Sequence, residues 1–196
     1  MESVNLDNIG FVKTKLSDKD YQHLVKECSK KHNDRMVSGL SDSGVANHFY
    51  IKNTKSLNII EKYTTSLMNL YYEKYPSYLK SIKMLDRNCK IKLDQVWINY
   101  QKSGEFIPLH NHDGAYAFNI WIKIPYNSND KIFSGNFVFN YSNILGQGAD
   151  QFIKLSQRDQ AIMTLFPSNL RHIVYPFYDS DQTRISIAGN LGFSTQ

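Results

Sequence analysis

The residue pattern changes near residue 90, and this change constrains the fold more than any other feature of the sequence. From Ile91 onward, short runs rich in Val, Ile, Phe and Tyr are separated by Gly, Asn, Ser and Asp. The runs cover residues 91–100, 104–109, 115–124, 134–140, 150–155, 160–166, 171–175 and 183–190. Eight short strands without intervening helical periodicity predict an antiparallel sandwich or barrel.

The first half of the chain has helical patterns instead. Ser17 is positioned to cap a helix over residues 18–32, with Asp20 completing a capping-box-like start. Apolar residues at helical spacing predict a second helix over residues 55–74, and Pro76 ends or interrupts it. Residues 33–53 are polar and contain glycine, which predicts a long loop.

These patterns predict a mainly β protein with flanking helices. The stretch Ile9–Leu16 is a candidate early strand that adds to one sheet. We expect residues 1–196 to form a single domain, in which residues 1–90 supply a strand and helices packed on one sheet and residues 91–191 form the β core. The boundary near residue 90 lacks the Gly, Ser and Pro content of a linker.

Composition narrows the compartment and the class. The 196 residues are 41% hydrophobic and 21% charged, as is typical of globular proteins. The two cysteines, Cys28 and Cys89, are better explained as free thiols than as a disulfide framework. The N-terminal residues have no apolar leader, and no run of 18 apolar residues occurs. We therefore expect a cytoplasmic protein without a membrane segment.

The net charge of +5 is unevenly distributed. Residues 1–96 carry 16 Lys and Arg against 11 Asp and Glu, whereas residues 97–196 carry 7 of each. The excess therefore belongs to the helical half, on faces expected to be solvated. No basic cluster accompanies the aromatic residues of the β half, so we regard nucleic acid as an unlikely partner that composition does not exclude.

Three of the six histidines are candidate metal ligands. His23, His32 and His48 lie on polar faces or in the predicted loop, where solvated surface histidines are expected. His110 and His112 are two residues apart on a predicted strand, so their side chains project to the same face. With His172 from another strand they form a candidate set of imidazole ligands. The alternative is that all three are ordinary surface or core histidines.

Arg184 is the candidate anion-binding residue. In the run Arg184-Ile185-Ser186-Ile187, alternation places Arg184 and Ser186 on one face and the isoleucines on the other. An inward-pointing guanidinium is costly to bury unless it has a carboxylate partner. That partner is either a ligand or a protein acid such as Asp113 or Asp159.

Five segments of the β half resemble, in order, those of one enzyme family. They are Asn99-Tyr100 followed by His110, then residues 134–139 (SGNFVF), residues 165–168 (LFPS), residues 172–176 (HIVYP) and residues 184–187 (RISI). Residues 93–191 thereby resemble the iron(II)- and 2-oxoglutarate-dependent oxygenases, in particular the prolyl-hydroxylase-like branch and small relatives often encoded by phages.

This resemblance implies a fold and a set of roles. The fold is the double-stranded β-helix, a jelly roll, with the N-terminal helices packed on one sheet. His110 and His172 are implied to bind Fe(II), Arg184 to bind the C5 carboxylate of 2-oxoglutarate, Tyr100 to hydrogen-bond the same carboxylate, and Ser186 to assist. The implied chemistry uses dioxygen to decarboxylate 2-oxoglutarate to succinate while a C–H bond is hydroxylated.

One position departs from the family pattern, which is His-x-Asp. His112 occupies the place of the aspartate, and Asp113 follows it. Three readings are open: His110, His112 and His172 all bind the metal; a bulge turns Asp113 inward; or the second position is not a ligand. A third imidazole removes a negative charge, which weakens iron binding before the cosubstrate arrives.

The expected function is therefore a dioxygenase that hydroxylates a protein or peptide side chain such as proline, in the cytoplasm or, for a phage-encoded protein, the host cytoplasm. Two alternatives remain. A cupin-like dioxygenase binds iron through three histidines and does not use 2-oxoglutarate. A non-catalytic jelly roll, such as a virion or binding module, keeps the sandwich without the chemistry.

Overall fold

The structure, a computed structural model, describes residues 9–35, 47–81, 90–126 and 133–194. Residues 36–46 of the predicted loop and Cys89 lie outside the described residues. These described segments contain three α-helices: α1 (Asp18–Cys28), α2 (Thr54–Lys74) and α3 (Pro76–Ser81). The ten strands are β1 (Val12–Lys15), β2 (Asn47–Tyr50), β3 (Lys90–Gln101), β4 (Ile107–His110), β5 (Tyr116–Lys123), β6 (Phe137–Ser142), β7 (Gly148–Ile153), β8 (Ile162–Pro167), β9 (Arg171–Val174) and β10 (Arg184–Ser194).

Two antiparallel sheets face each other. The six-stranded sheet has the order β1-β8-β5-β10-β3-β2, and the four-stranded sheet has the order β4-β9-β6-β7. From β3 to β10 the chain passes back and forth between the sheets, and all strand pairs are antiparallel. This is the topology of a jelly roll. The predicted mainly β fold is confirmed.

Helix α1 begins at its expected cap, Ser17, and α2 begins at Asn53, a cap that was not predicted from the sequence. Ser17 Oγ accepts a hydrogen bond from the Asp20 N–H at 3.3 Å, and Asn53 Oδ1 accepts one from the Ser56 N–H at 2.9 Å. Helix α1 ends at Cys28 rather than at the expected residue 32. The Ser29 N–H and the Ser29 hydroxyl both donate to the Val25 carbonyl, at 3.1 Å and 2.9 Å, in the last turn of the helix.

The helices cover the outer face of the six-stranded sheet. Leu24, Ile60, Leu67 and Tyr71 are fully or nearly fully buried against this face, together with strand residues such as Ile98. A second cluster, including Phe137, Phe139 and Phe166, fills the space between the two sheets. Burial on both faces of the six-stranded sheet makes it a rigid support for side chains that point between the sheets. No helix of the described residues is long and apolar enough to cross a membrane.

Strand β2 corrects the expected loop over residues 33–53. It pairs with β3 at the edge of the six-stranded sheet, with His48 opposite Asn99 and Tyr50 opposite Trp97. A four-residue strand is too short to show a periodic pattern, and the hydrogen bonds of β3 stabilise it rather than its own propensity.

Candidate metal centre and its cavity

Three histidines meet between the sheets. His110 ends β4 and lies directly opposite His172 of β9 in the register of the four-stranded sheet. His112 follows in the turn after β4, where its backbone N–H donates to the Ser168 carbonyl at 2.9 Å. One side-chain nitrogen of each histidine lies within 4.8 Å of the others. The predicted triad is therefore brought together by the pairing of β4 with β9 and by the turn that follows β4.

Each ring is oriented by its Nδ1 atom. Nδ1 of His110 contacts the Pro108 carbonyl at 2.7 Å, Nδ1 of His172 the Leu170 carbonyl at 3.0 Å, and Nδ1 of His112 the side-chain oxygen of Asn190 at 2.8 Å. A carbonyl oxygen only accepts, so each Nδ1 carries the hydrogen. Each Nε2 therefore keeps its lone pair, which is the arrangement of histidines that bind metals.

The spacing fits a shared transition-metal ion. Nε2 of His112 and Nε2 of His172 are 3.2 Å apart. Two nitrogens about 2.1 Å from one ion, at an angle of roughly 90–110° to each other, lie about 3.0–3.4 Å apart. Imidazole ligands suit first-row metals such as iron and zinc. The residues present therefore fit a divalent transition metal.

Burial keeps these imidazoles neutral. It lowers the pKa of His112 to about 4 and lowers the pKa of His110 and of His172, and charge repulsion from the neighbouring rings lowers the pKa of His112 and of His172 further. A neutral imidazole is the form that binds a metal. Aromatic stacking also holds two of the three rings: Trp97 stacks on His112 at a centroid distance of 5.7 Å, and Phe137 stacks on His172 at 5.0 Å.

His112, and not Asp113, joins His110 and His172. Asp113 is exposed and is not a member of the cluster, although it lies at the rim of the same cavity. Strand β4 ends at His110, so the turn, rather than strand alternation, directs His112 inward.

Arg184 lies in the same cavity and is buried, with 4% of its surface exposed. Its guanidinium donates to the Tyr126 hydroxyl at 2.7 Å, to the Gly135 carbonyl at 3.2 Å and to the side-chain oxygen of Gln101. Among the described residues it forms no ion pair with Asp113, Asp159 or any other acid. A buried guanidinium with only neutral partners is prepared for an anionic ligand.

Gly135 allows the Arg184 contacts. Its φ is +70°, and a Cβ at this position would lie 2.3 Å from the Tyr126 ring. The Tyr126 hydroxyl donates to the Gly135 carbonyl at 2.7 Å and accepts from Arg184. The glycine of the 134–139 segment therefore brings the backbone close to both side chains.

The expected contact of Tyr100 with a bound carboxylate is wrong. Its hydroxyl donates to the Cys28 carbonyl of α1 at 2.6 Å, and burial raises its pKa to about 12. Residues of β3 alternate between faces, so Tyr100 packs under the helices whereas Trp97, Asn99 and Gln101 face the cavity. Tyr126 and Gln101, which sequence reasoning missed, are the residues beside Arg184.

The alternation of β3 contained the signal for Gln101. Polar Asn99 and Gln101 alternate with apolar Ile98 and aromatic Tyr100, and this pattern assigns the polar pair to one face. Tyr126 follows β5 and is not part of any periodic run, so only the tertiary fold identifies it.

Ser186 lines the cavity as expected, and its hydroxyl accepts a hydrogen bond from Nδ2 of Asn99 at 3.1 Å. Oδ1 of Asn99 and Nδ2 of Asn119 are buried and have no hydrogen-bond partner among the described residues. Buried polar atoms normally have partners, so these two are candidate contacts for a ligand.

The expectation of a solvated His48 is wrong. Only 4% of its surface is exposed, it lines the cavity, and burial lowers its pKa to about 4. His23 and His32 lie outside the cavity, where they contact the Ser56 hydroxyl and the Glu27 carbonyl. This expectation fails because β2 places His48 within the six-stranded sheet.

The cavity has a volume of about 280 Å³. One side is formed by the six-stranded sheet with Arg184, Ser186 and Asn99, and the other by the four-stranded sheet with His110 and His172. Two tryptophans, Trp97 and Trp121, add apolar walls. A metal site, a buried cation and apolar walls in one cavity are the features of a binding site for a small anionic molecule next to a metal.

The sequence of the β half also resembles that of a known protein family. Residues 95–190 match the family model described as "Putative 2OG-Fe(II) oxygenase". This match includes the three histidines and Arg184. No curated protein matches the sequence at a significant level.

Solved structures share the fold across most of the chain. A prolyl-4-hydroxylase of Pseudomonas putida superposes with a TM-score of 0.59 at 12% identity, covering 94% of this chain and 92% of its own. A viral collagen prolyl hydroxylase of Paramecium bursaria Chlorella virus-1 has a TM-score of 0.54 at 15% identity, covering 91% and 93%. A 2OG-Fe(II) oxygenase-family oxidoreductase of Burkholderia pseudomallei has a TM-score of 0.57 at 12% identity, covering 94% and 85%.

The fold, the histidine cluster and the sequence match agree over the same segment. Residues 95–190, in the jelly-roll half of this chain, accordingly match the 2OG-Fe(II) oxygenase family, for which Fe(II), 2-oxoglutarate and dioxygen are the implied cofactor and cosubstrates.

Proposed function

We propose that this protein is an Fe(II)- and 2-oxoglutarate-dependent dioxygenase that hydroxylates a protein side chain such as proline and converts 2-oxoglutarate to succinate. The observation that carries the proposal is Arg184. It is a buried cation with neutral partners in the same cavity as three converging imidazole nitrogens. A dicarboxylate that reaches a metal with one end and Arg184 with the other satisfies both groups.

His110, His112 and His172 are the proposed metal ligands, each through Nε2. Their Nδ1 contacts fix the rings before the metal binds, so little ordering is needed on binding. Bound Fe(II) supplies the activation of dioxygen that the family reaction requires. Three neutral ligands leave the full charge of the ion uncompensated, so the site favours an anionic cosubstrate more strongly than one with a carboxylate ligand.

Arg184 is the proposed ligand of the distal carboxylate. A guanidinium has five N–H donors, and its contacts to Tyr126, Gly135 and Gln101 use three of them among the described residues. Two donors remain for a carboxylate, which suits bidentate binding. The three neutral contacts hold the guanidinium plane in place. Ser186, one step along the same face of β10, is the proposed additional contact.

Strand β10 sets the direction of the cosubstrate. Arg184, Ser186 and Asn190 share one face of this strand, and Asn190 holds the metal-side histidine His112. The proposed dicarboxylate therefore lies along β10, between the guanidinium and the histidines.

Two observations support a prolyl substrate. The neighbours named above include a prolyl-4-hydroxylase and a collagen prolyl hydroxylase. The cavity also presents the indole rings of Trp97 and Trp121, which offer apolar surface to a pyrrolidine ring. A protein or peptide is therefore the proposed partner. The cytoplasm is the proposed location of the reaction.

The test is 2-oxoglutarate binding and turnover. We expect Mn(II)-loaded protein to bind 2-oxoglutarate in calorimetry, and Fe(II)-loaded protein to form succinate. Arg184→Gln removes the charge and should weaken 2-oxoglutarate binding at least tenfold. Arg184→Lys keeps the charge without the bidentate geometry, so its affinity for 2-oxoglutarate should lie between those of the wild type and Arg184→Gln. Arg158→Gln, at an exposed arginine outside the cavity, is the matched control.

Two results would contradict the proposal. Metal-loaded protein that forms an oxygenated product without 2-oxoglutarate would favour the cupin-like three-histidine dioxygenase. Folded protein that binds neither a transition metal nor 2-oxoglutarate would favour a non-catalytic jelly roll. Circular dichroism of each variant separates loss of binding from loss of folding.

A further inference from the structure

His48 is a buried side chain in the cavity that the proposed cofactor and cosubstrate do not use. Its Nε2 atom has no hydrogen-bond partner among the described residues, and only 4% of the residue is exposed. A buried polar atom without a partner is destabilising. Such an atom facing a cavity is a candidate contact for a ligand.

The position of His48 separates it from the proposed cosubstrate. His48 lies on β2, which is separated from β10 by β3. Neighbouring strands are about 4.8 Å apart, so β2 lies roughly 10 Å to the side of the line along β10 that joins Arg184 to the histidines. A dicarboxylate along that line leaves the His48 side of the cavity for a second molecule.

His110 is the proposed metal ligand that borders the His48 side of the cavity. His48 and His110 line the same cavity. A molecule bound at His48 therefore reaches the metal centre from the β2 edge of the sheet. Strand β2 is an edge strand of the six-stranded sheet, and the exposed residue Asn111 also lines the cavity.

We infer that His48 is a binding residue for the substrate that is hydroxylated, and that its Nε2–H donates to a peptide carbonyl of that substrate. This inference rests on the proposed function. A neutral imidazole suits a neutral partner better than a carboxylate or an ammonium group. A peptide bond that precedes proline has no N–H, so a carbonyl is the hydrogen-bonding group that its backbone offers.

The experiment uses metal-loaded full-length protein and a panel of N-acetylated, C-amidated proline-rich peptides. The KM for the peptide is measured through succinate formation, and the Kd for 2-oxoglutarate is measured with Mn(II). His48→Leu removes the donor at similar volume and should raise the peptide KM about tenfold, while the 2-oxoglutarate Kd stays within twofold. A tenfold change corresponds to about 1.4 kcal/mol, within the usual effect of a buried neutral hydrogen bond.

Two controls test the hydrogen bond itself. His48→Gln keeps a side-chain N–H and should recover part of the loss in KM. His32→Leu is the matched control. His32 contacts Phe49, which neighbours His48 on β2 but points to the other face, so this variant should leave the peptide KM unchanged. A peptide with a thioamide in place of the contacted carbonyl should bind wild-type protein more weakly than the normal peptide does. His48→Leu should bind the two peptides equally well.

The possible failures are distinguishable. If His48→Leu weakens 2-oxoglutarate binding tenfold, His48 contacts the cosubstrate and the inference is wrong. If no peptide raises succinate formation by the wild type, a peptide carbonyl is not the ligand and the inference is also wrong. Arg184-dependent binding of 2-oxoglutarate would still support the proposed function in both cases.

Discussion

The Nε2 atoms of His112 and His172 face each other at 3.2 Å, and the two rings are parallel to within 5°. Both Nδ1 hydrogens are held by oxygen acceptors, so two lone pairs point at each other across a buried gap. This arrangement is unfavourable without a proton or a cation between the nitrogens. Because burial disfavours the proton, a metal ion is the partner that this pair is built to accept.

Replacing His112 separates the open readings of the second ligand. We expect His112→Ala to weaken Mn(II) or Fe(II) binding by more than tenfold, because it removes one of three ligands. Asp113→Ala, which changes an exposed side chain outside the cluster, should change the metal Kd less than twofold. Isothermal titration of metal-free protein measures both values. The opposite order would identify Asp113 as the ligand.

Asn190 is expected to act on the metal through His112. Asn190→Leu removes the acceptor of the Nδ1 hydrogen and should weaken metal binding roughly tenfold, in the range typical of residues that support metal-binding histidines. Asn190→Asp supplies a stronger acceptor and should bind metal at least as tightly as the wild type. Equal metal affinity of the leucine variant and the wild type would show that the turn after β4 alone orients His112.

Tyr126 is expected to position Arg184. Tyr126→Phe removes the hydroxyl that accepts from the guanidinium at 2.7 Å while it keeps the ring that packs on Phe177. We expect the Kd of Mn(II)-loaded protein for 2-oxoglutarate to rise about fivefold, with the metal Kd unchanged. Tyr100→Phe is the matched control, because the Tyr100 hydroxyl contacts Cys28 on the other side of the sheet. A larger effect of Tyr100→Phe on cosubstrate binding would contradict this assignment.

The Gly135 conformation predicts a stability effect. Gly135→Ala places a methyl group 2.3 Å from the Tyr126 ring at a φ of +70°. We expect the free energy of unfolding to fall by roughly 2 kcal/mol or more, from steric conflict together with the left-handed backbone. Urea denaturation measures the change. Gly146→Ala, also at positive φ but with open space around it, should cost less.

Stability should also depend on pH. Burial lowers the pKa of His48 and of His112 from the ordinary value near 6.5 to about 4. Between pH 6.5 and pH 4 the unfolded chain therefore binds protons that the folded chain does not, so the free energy of unfolding falls as the pH falls through this window and is unaffected by these groups above it. Each group contributes up to roughly 3 kcal/mol.

Urea denaturation of metal-free protein from pH 7.5 to 4.5 measures this dependence. His48→Gln removes one of the buried histidines with a lowered pKa, so its stability should fall less steeply with acidification than that of the wild type. Equal slopes would mean that His48 is protonated equally easily in the folded and unfolded chains.

Much of the architecture was predictable from local pattern. The strand runs after Ile91, the cap at Ser17 and the second helix depend on alternation, capping and 3.6-residue periodicity, which local sequence carries. His110, His172 and Arg184 lie in strands whose alternation assigns each side chain to a face, whereas His112 lies in the turn after β4. Strand β2 was missed because four polar and aromatic residues carry no period, and His48 was missed with it.

The sequence by itself determined which residue types are present for the chemistry and the two-sheet class that holds them. Only the tertiary structure decided which of them meet. The turn after β4 selects His112 over Asp113, the docking of α1 gives the Tyr100 hydroxyl the Cys28 carbonyl as its partner, and pairing at a sheet edge brings His48 into the cavity. These outcomes depend on contacts between residues distant in the chain, and no local pattern encodes such contacts.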